Sequence, residues 1–234
     1  MKILSITWSY EDRIDLSNSS LYKSFIKNNS PENFINIHFN RNNFKTLEEE
    51  FHRRFDYQYE FILYRIFLSL DKFKFLDDDY YVISDTNDVV CLGNINDINS
   101  PDNVLFSSEA HRYPWNCPDW TVNYSENDNK MRHYLNGGLS VGKRDWYISL
   151  FESIIKNILP LNLKTFGGDQ GVYTYHYLSN HDPKITLDKN NELFLCTYSR
   201  SYDGFSKSNF PMFVHDNGWN YGSPKFIEKF ELLK

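Results

Sequence analysis

The fold is decided by residues 80–88, which read YYVISDTND. The apolar run at its start predicts a short buried strand over 80–84. Asp85 and Asp88 follow this strand directly, and we expect their carboxylates to be exposed at its end. Carboxylate oxygens are ligands for a divalent cation that also binds phosphate. An ordinary solvated turn is the alternative, because Asp, Asn and Ser all favour turns.

Strand-like and helix-like segments alternate along the rest of the chain, which predicts an α/β fold with helices on the faces of one sheet. Helical spacing predicts one long helix or two abutting helices over 46–70. Capping and turn residues predict further helices over 146–158, with Asp145 as a possible cap, over 171–178, and from Pro224. The further predicted strands cover 2–7, 104–107, 134–142, 184–187, 193–196 and a segment that begins at 210. No break in composition divides the chain, so we expect a single domain over residues 1–234.

Composition excludes several classes of protein. Hydrophobic residues make up 41% of the chain and aromatic residues 18%, which predicts a packed core and rings left over for a binding cleft. The net charge is −6 without a basic stripe, which disfavours nucleic acid as a partner. We expect a cytoplasmic protein, because the start of the chain does not resemble a signal peptide and no apolar stretch approaches the roughly 20 residues of a membrane span. The three cysteines form no CxxC pair, so a structural zinc site is not expected.

Three further segments combine polar side chains with glycine. His215 follows an apolar run and precedes Asp216-Asn217-Gly218, a turn sequence whose backbone amides can face an anion. Residues 136–138 read NGG, which is typical of a hairpin turn or of a backbone that a ligand approaches closely. Asp169 is interpreted either as an acid in the first turn of a helix or as a carboxylate that faces a substrate hydroxyl. Each of these two segments taken alone favours the structural interpretation. A lone histidine after a strand is also more often a hydrogen-bonded structural residue than a ligand, but the turn that follows His215 favours a functional role.

Taken in order, these segments resemble the glycosyltransferase domain of the procollagen lysyl hydroxylases and related collagen glycosyltransferases. The resemblance is carried by residues 84–89 (SDTNDV), 106–110 (FSSEA), 134–142 (YLNGGLSVG), 169–170 (DQ) and 214–218 (VHDNG). It implies a GT-A fold, that is, a Rossmann-like mixed sheet flanked by helices. It also implies a UDP-sugar donor, UDP-glucose or UDP-galactose, and Mn²⁺, with Mg²⁺ as a possible replacement.

The resemblance also implies roles for individual residues. Asp85, Asp88 and His215 would bind the metal, and Asp169 and Asn136 would act next to the transferred sugar. Glu109 with Tyr113 or Trp115 would border the acceptor. The donor would contact Thr7, Trp8, Asn87, Gly137, Gly138, Gly218 and Lys225.

The chain departs from the family at several positions. Asn87 replaces an aromatic residue that can stack on the uracil, so Trp8 or another ring would have to substitute. Gly167 and Gly168 replace acidic residues of the family. Tyr221 stands where the family has a lysine that contacts phosphate, and Lys225 is the nearest cation.

The leading hypothesis is metal-dependent transfer of glucose or galactose from UDP to a hydroxyl acceptor, either a collagen-like hydroxylysine or a glycan. The alternative is a catalytically silent module that binds a sugar nucleotide or a glycan. A third hypothesis is a metal-dependent phosphohydrolase that uses the same carboxylates. The motifs do not distinguish retaining from inverting stereochemistry.

Overall fold

The structure is a computed structural model that describes residues 1–9, 13–40, 64–109, 134–161, 168–197 and 211–216. The strands in these ranges are β1 (Lys2–Ser9), β2 (Phe34–Asn40), β3 (Tyr80–Ser84), β4 (Val89–Cys91), β5 (Val104–Glu109), β6 (Tyr134–Lys143), β7 (Ile185–Asp188), β8 (Phe194–Cys196) and β9 (Phe213–His215). The helices are α1 (Ser20–Phe25), α2 (Tyr64–Phe73), α3 (Arg144–Ser153), which continues as a π-helix over Ile154–Ile158, and α4 (Gly168–Leu178). None of the described helices combines the length and the apolar character that a membrane crossing requires.

A six-stranded mixed sheet forms the centre of the fold, with the strand order β2-β1-β3-β6-β5-β7. Strand β1 pairs in parallel with β2 and β3, and β5 pairs in parallel with β7. Strand β6 is antiparallel to both of its neighbours. The predicted α/β class with a mixed sheet is therefore confirmed.

Both faces of this sheet are buried, because alternate side chains of its central strands point to opposite sides. Leu4, Tyr81 and Ile83 pack on one face against the apolar sides of α2, α3 and α4. Ile3 and Val82 pack on the other face with α1 and with a second, three-stranded sheet. This burial on both sides explains why the apolar run of 80–84 does not alternate with polar residues.

The second sheet has the order β4-β9-β8. Strand β4 is antiparallel to β9, and Val89 is the register partner of His215. Strand β4 begins one residue after Asp88, so this pairing brings the end of the chain's last described strand next to the acidic turn. Neither β4 nor β2 nor helix α1 was predicted from the sequence.

Strand β6 contains a bulge at its glycines. Between the pairs Phe106–Ser140 and Ser108–Leu135, β5 advances by two residues while β6 advances by five. The hairpin interpretation of residues 136–138 is therefore wrong, because these residues lie inside a buried strand. A bulge of this kind redirects side chains locally, and such bulges are common beside functional sites.

Two further expectations need correction. Asp145 is not the cap of α3, because the helix begins at Arg144 with Lys143 in the capping position, and Asp145 lies exposed in the first turn. Helix α4 begins at Gly168 rather than Gly171. The predicted helix over 46–70 is described only from residue 64, where it is helical and runs to Phe73; the predicted helix after 224 lies outside the described residues.

Candidate functional site

Asp85 and Asp88 lie in the turn that links β3 to β4. The Asp85 amide donates a hydrogen bond to the Gly138 carbonyl at 2.8 Å, and the Asp216 amide donates to the Asp88 carbonyl at 2.8 Å. The turn is thus fixed to β6 at one end and to the residue after β9 at the other. The Asp85 side chain remains 30% exposed, whereas the Asp88 side chain is only 11% exposed. The expectation that both carboxylates are exposed is wrong for Asp88, since β9 packs beside it.

Thr86 anchors the middle of this turn through its backbone and its hydroxyl. Ser19 Oγ donates to the Thr86 carbonyl at 2.7 Å, and Thr86 Oγ1 lies 3.1 Å from Thr7 Oγ1 and within hydrogen-bonding distance of Ser5 Oγ. Thr7 donates in turn to Asn36 Oδ1 at 2.7 Å. Thr7, which the family resemblance assigns to the nucleotide, is buried and belongs to the hydroxyl network that supports the acidic turn.

His215 ends β9 and is 2% exposed. Its Nε2 atom lies 3.2 Å from Asp88 Oδ2 and 3.7 Å from Asp85 Oδ2. One ligand atom from each of the three residues lies within 4.8 Å of the other two. The structure therefore brings together three side chains that the sequence separates widely.

The spacing and chemistry of these atoms suit a divalent cation. Ligands about 2.1 Å from a metal at right angles to one another lie about 3 Å apart. The separations of 3.2 and 3.7 Å are close to that value. Two carboxylates and one imidazole form a donor set that fits Mn²⁺ well and Mg²⁺ less well. The residues present therefore fit the metal.

Gly138 makes this convergence possible. A Cβ atom built on Gly138 would lie 2.3 Å from His215 Cε1 and 2.5 Å from Asp85 Oδ2. Any side chain at this position would have to displace one of the two. The glycine in the NGG segment is explained by the close approach of two side chains of the site to the backbone of β6.

Asn136 contacts the side of His215 that faces away from the carboxylates. Asn136 Oδ1 lies 3.1 Å from His215 Nδ1 and accepts hydrogen bonds from the Gly138 amide at 3.0 Å and from Ser107 Oγ at 3.1 Å. Asn136 is 3% exposed, so these hydrogen bonds take the place of hydrogen bonds to water. Asn136 links the bulge in β6 directly to the histidine of the cluster.

Glu109 and Gln170 extend this network towards α4. Asn136 Nδ2 donates to Glu109 Oε2 at 3.1 Å, and Gln170 Nε2 donates to Glu109 Oε1 at 2.7 Å. Gln170 Oε1 accepts from the Gly137 amide at 3.1 Å. Glu109 is 3% exposed and lies on the site side of β5, where it joins α4 to β6.

Arg65 joins two acidic residues on the opposite side of the site. Its Nη2 atom lies 2.6 Å from Asp85 Oδ1, and its Nη1 atom lies 3.4 Å from Asp169 Oδ2. The residue is 8% exposed. Burial would lower the pKa of the guanidinium, but Asp85 and Asp169 outweigh that effect and raise it. Because Arg65 holds Oδ1 of Asp85, the oxygen that faces His215 is Oδ2.

The protonation states of Asp88 and His215 depend on one another. Burial would lower the pKa of His215, but the charge and hydrogen bond of Asp88 raise it well above its ordinary value. Burial would raise the pKa of Asp88, but the charge and hydrogen bond of His215 lower it. Without a cation, the pair is therefore an imidazolium and a carboxylate at neutral pH.

Asp169 lies in the first turn of α4 and is 5% exposed. Burial raises the pKa of this carboxyl to about 6, against the opposing effect of Arg65. A carboxyl with a pKa near neutrality can accept or donate a proton under physiological conditions. Its hydrogen bonds and ion pairs in the structure, however, are the ion pair with Arg65 and a hydrogen bond from the Gln170 backbone N–H to Asp169 Oδ1 at 2.9 Å.

The other residues implicated by the family resemblance are described only in part. Gly137 lies in the bulge beside Gln170, and Asn87 is exposed in the acidic turn. Tyr113, Trp115, Gly218 and Lys225 lie outside the described residues, as does the side chain of Trp8.

Sequence reasoning missed Arg65 and Gln170 as members of this cluster. Arg65 falls within the helical apolar pattern of residues 46–70, which predicts only that its aliphatic stem packs with the apolar side chains. A charged residue among the apolar positions 61–68 was the available signal, because a buried arginine needs an acidic partner. Gln170 belongs to the DQ motif at 169–170, for which the family resemblance implies a role of Asp169 alone.

Comparisons with known proteins bear on the fold. No protein-family model matches the sequence, and a search of curated proteins finds no significant match. Among solved structures, an active-site mutant of LgtC is similar at a TM-score of 0.56, with 12% sequence identity, over 100% of this chain and 95% of that chain. A glycosyltransferase involved in the glycosylation of the major capsid of PBCV-1 is similar at a TM-score of 0.49, with 15% identity, over 99% of this chain and 100% of that chain.

This chain has a GT-A fold. The likeness to LgtC extends over nearly the whole of both chains, so the mixed sheet and its helices together form the GT-A unit. In open α/β sheets, ligands bind beyond the carboxyl ends of strands. Asp85 lies directly beyond the end of β3, so the acidic cluster of this GT-A fold stands where a ligand is expected.

Proposed function

We propose that this chain is a metal-dependent glycosyltransferase that transfers a hexose, glucose or galactose, from its UDP derivative to a hydroxyl acceptor. The observation that carries the proposal is the convergence of Asp85, Asp88 and His215 within a GT-A fold. Fold alone does not determine activity, and it is the chemistry of this cluster that supports the proposal.

The reaction separates a sugar from a diphosphate whose negative charge grows as the bond breaks. A divalent cation held by Asp85 Oδ2, Asp88 Oδ2 and His215 Nε2 would offset that charge. An imidazole ligand favours Mn²⁺ over Mg²⁺. Arg65 would keep Asp85 in its ligating orientation, since it already occupies the other carboxylate oxygen at 2.6 Å.

The proposal assigns the remaining described residues by their place near this cluster together with the family resemblance, and the residues outside the described ranges by the resemblance alone. Asn136 and Asp169 would lie beside the transferred sugar, where Asp169 either holds a sugar hydroxyl or takes up a proton. Glu109, Tyr113 and Trp115 would border the acceptor. The nucleotide and its phosphates would contact Thr7, Trp8, Asn87, Gly137, Gly138, Gly218 and Lys225.

The acceptor in this proposal is a hydroxyl group of a protein or a glycan. The resemblance to collagen glycosyltransferases supports a collagen-like hydroxylysine, and a glycan hydroxyl is the other candidate.

The whole of residues 1–234 would form the one catalytic domain, because the likeness to LgtC covers the full chain.

The proposal is tested by measuring UDP release from UDP-glucose and UDP-galactose with and without Mn²⁺, over a panel of hydroxylysine peptides and glycans. We expect release that requires Mn²⁺ and rises with the correct acceptor. The Asp88→Asn variant should lose it, whereas Asp97→Asn, which changes an exposed acid outside the site, should retain it. Tight UDP binding without release over the whole panel would support the binding module instead, and phosphate release from simple esters would support the phosphohydrolase.

A further inference from the structure

The hydrogen bonds around Asn136 fix which way its amide group points. The Gly138 backbone N–H can only donate, and it points at Asn136 Oδ1 from 3.0 Å. The other end of the amide, Nδ2, lies 3.1 Å from Glu109 Oε2, which as a carboxylate oxygen accepts. The oxygen therefore faces His215, and the NH₂ group faces Glu109.

The same reasoning fixes Gln170 and Glu109. The Gly137 N–H donates to Gln170 Oε1 at 3.1 Å, so Gln170 presents its NH₂ group to Glu109 Oε1 at 2.7 Å. The network thus begins and ends at two consecutive backbone N–H groups of the β6 bulge. Each hydrogen bond between them has only one possible direction.

The consequence for His215 is a defined tautomer of the neutral ring, the form that can bind a cation. Its Nδ1 atom lies 3.1 Å from an amide oxygen, which can only accept, so Nδ1 carries a hydrogen. The atom that remains for a cation is Nε2, which lies 3.2 Å from Asp88 Oδ2. A histidine that binds a metal through one nitrogen commonly donates its other N–H in this manner.

We infer that Asn136 is a positioning residue that fixes the tautomer and ring orientation of His215 for the metal, and that Glu109, held by Gln170, fixes the orientation of Asn136. This inference rests on the proposed metal site. It assigns Glu109 a function at the metal although its carboxylate does not belong to the cluster of ligand atoms. A purely structural network would stabilise the fold without affecting which cation binds.

The Glu109→Gln variant reverses the network at one step. The new amide has a single oxygen for two NH₂ groups. We expect it to keep the shorter hydrogen bond, from Gln170 Nε2 at 2.7 Å rather than from Asn136 Nδ2 at 3.1 Å, so its NH₂ group confronts the NH₂ group of Asn136. The Asn136 amide must then turn over, and it presents a donor to His215 Nδ1. We expect the affinity for Mn²⁺ to fall about 10- to 100-fold. The affinity for Mg²⁺ should fall less, because Mg²⁺ depends less on an imidazole ligand.

A second substitution should restore the network. In the double variant Glu109→Gln with Asn136→Asp, the new carboxylate accepts from the new amide on one side and from His215 Nδ1 on the other. The net charge of the pair equals that of the wild type. We expect the ratio of Mn²⁺ to Mg²⁺ affinity to return to within a few-fold of the wild-type ratio, as coupling between contacting residues requires. The control Glu152→Gln removes an exposed acid on α3 and should leave the ratio unchanged.

Calorimetric titrations with Mn²⁺ alone and Mg²⁺ alone, each with UDP present, measure the ratio, and thermal unfolding confirms that each variant is folded. An equal loss of affinity for both cations in Glu109→Gln would reflect only the lost charge and would overturn the inference. A folded double variant with the same ratio as Glu109→Gln would also overturn it. A wild-type protein that binds neither cation would contradict the proposed metal site itself, and with it the inference.

Discussion

Asp88 and His215 face each other with 3.2 Å between Asp88 Oδ2 and His215 Nε2, although 127 positions separate them in the sequence. The register of β4 and β9 brings them together, because Val89 pairs with His215 and directly follows Asp88. A slip of one residue would turn His215 to the other face of the sheet. The cluster is thus as well defined as the strand pairing that supports it.

Binding of Mn²⁺ should release about one proton at pH 7. In the metal-free protein, the charge of Asp88 keeps the pKa of His215 well above its ordinary value in spite of burial, so Nε2 is protonated. A cation must displace that proton. Its affinity should therefore rise with pH throughout the range below this raised pKa. Calorimetry in buffers of different ionisation enthalpy measures the released protons, and binding without proton release would contradict the assignment of Nε2 as a ligand.

The Gly138→Ala variant should lose most of its Mn²⁺ affinity and remain folded. The added methyl group would lie 2.3 Å from His215 Cε1 and 2.5 Å from Asp85 Oδ2, so at least one of the two side chains must move. Gly93→Ala is the matched control, because its methyl group would meet only the flexible Met212 side chain, at 3.2 Å. Titrations of both variants with Mn²⁺ compare their affinities. Wild-type affinity in Gly138→Ala would show that metal binding does not require His215 and Asp85 to lie so close to the backbone of residue 138.

The Asp169→Asn variant should have a different pH dependence of stability from the wild type. Burial raises the pKa of Asp169 from 3.8 to about 6, so the folded state favours the protonated acid. Its stabilising contribution is complete below the unfolded pKa and is lost as pH rises through about 6. The loss amounts to at most about 3 kcal/mol, from about 1.4 kcal/mol per pKa unit.

Urea unfolding at several pH values between 4 and 8 measures this effect. We expect the free energy of unfolding of the wild type, relative to Asp169→Asn, to fall as pH rises across this range. A difference between the two proteins that stays constant would show that Asp169 is ionised throughout, held by Arg65.

The Arg65→Met variant should be destabilised by about 3–5 kcal/mol in the absence of metal, because it leaves the buried Asp169 carboxylate and the partly exposed Asp85 carboxylate without their partner. Asp85 and Asp169 both depend on this guanidinium, at 2.6 and 3.4 Å. Lys74→Met removes a cation from an exposed ion pair with Asp71 and should cost about 0–1 kcal/mol. Denaturant titration measures the free energy of unfolding of both variants. Equally small losses of stability would show that the Arg65 ion pairs contribute little to it.

The central part of the fold was predictable from local patterns. Closely spaced apolar residues mark the strands at 80–84 and 104–107 and the helix that starts near 146. Burial of these elements in the core requires such residues. Strand β4 has only three residues, and β2 mixes apolar and polar residues because it lies at the edge of the sheet. Such short or edge strands are specified by their neighbours more than by their own sequence.

The candidate metal ligands were identified from strand ends and from a family resemblance, whereas the residues that hold them in place were not predicted. Arg65, Gln170 and the orientation of Asn136 depend on long-range contacts, with Arg65 and Asp169 104 positions apart. The bulge in β6 also could not be predicted from its own residues, since NGG ordinarily favours a turn. It depends on the side chains of the site that pack around it. Only the packed structure shows that the glycine accommodates two side chains.

A crystal structure of the protein with UDP and Mn²⁺, with diffraction data collected at the manganese absorption edge, would examine the proposed metal site itself. We expect one anomalous peak about 2.1–2.3 Å from Asp85 Oδ2, Asp88 Oδ2 and His215 Nε2, with oxygens of the diphosphate completing the coordination. UDP bound in the fold with the manganese peak elsewhere, or with no peak at saturating Mn²⁺, would contradict the proposed site.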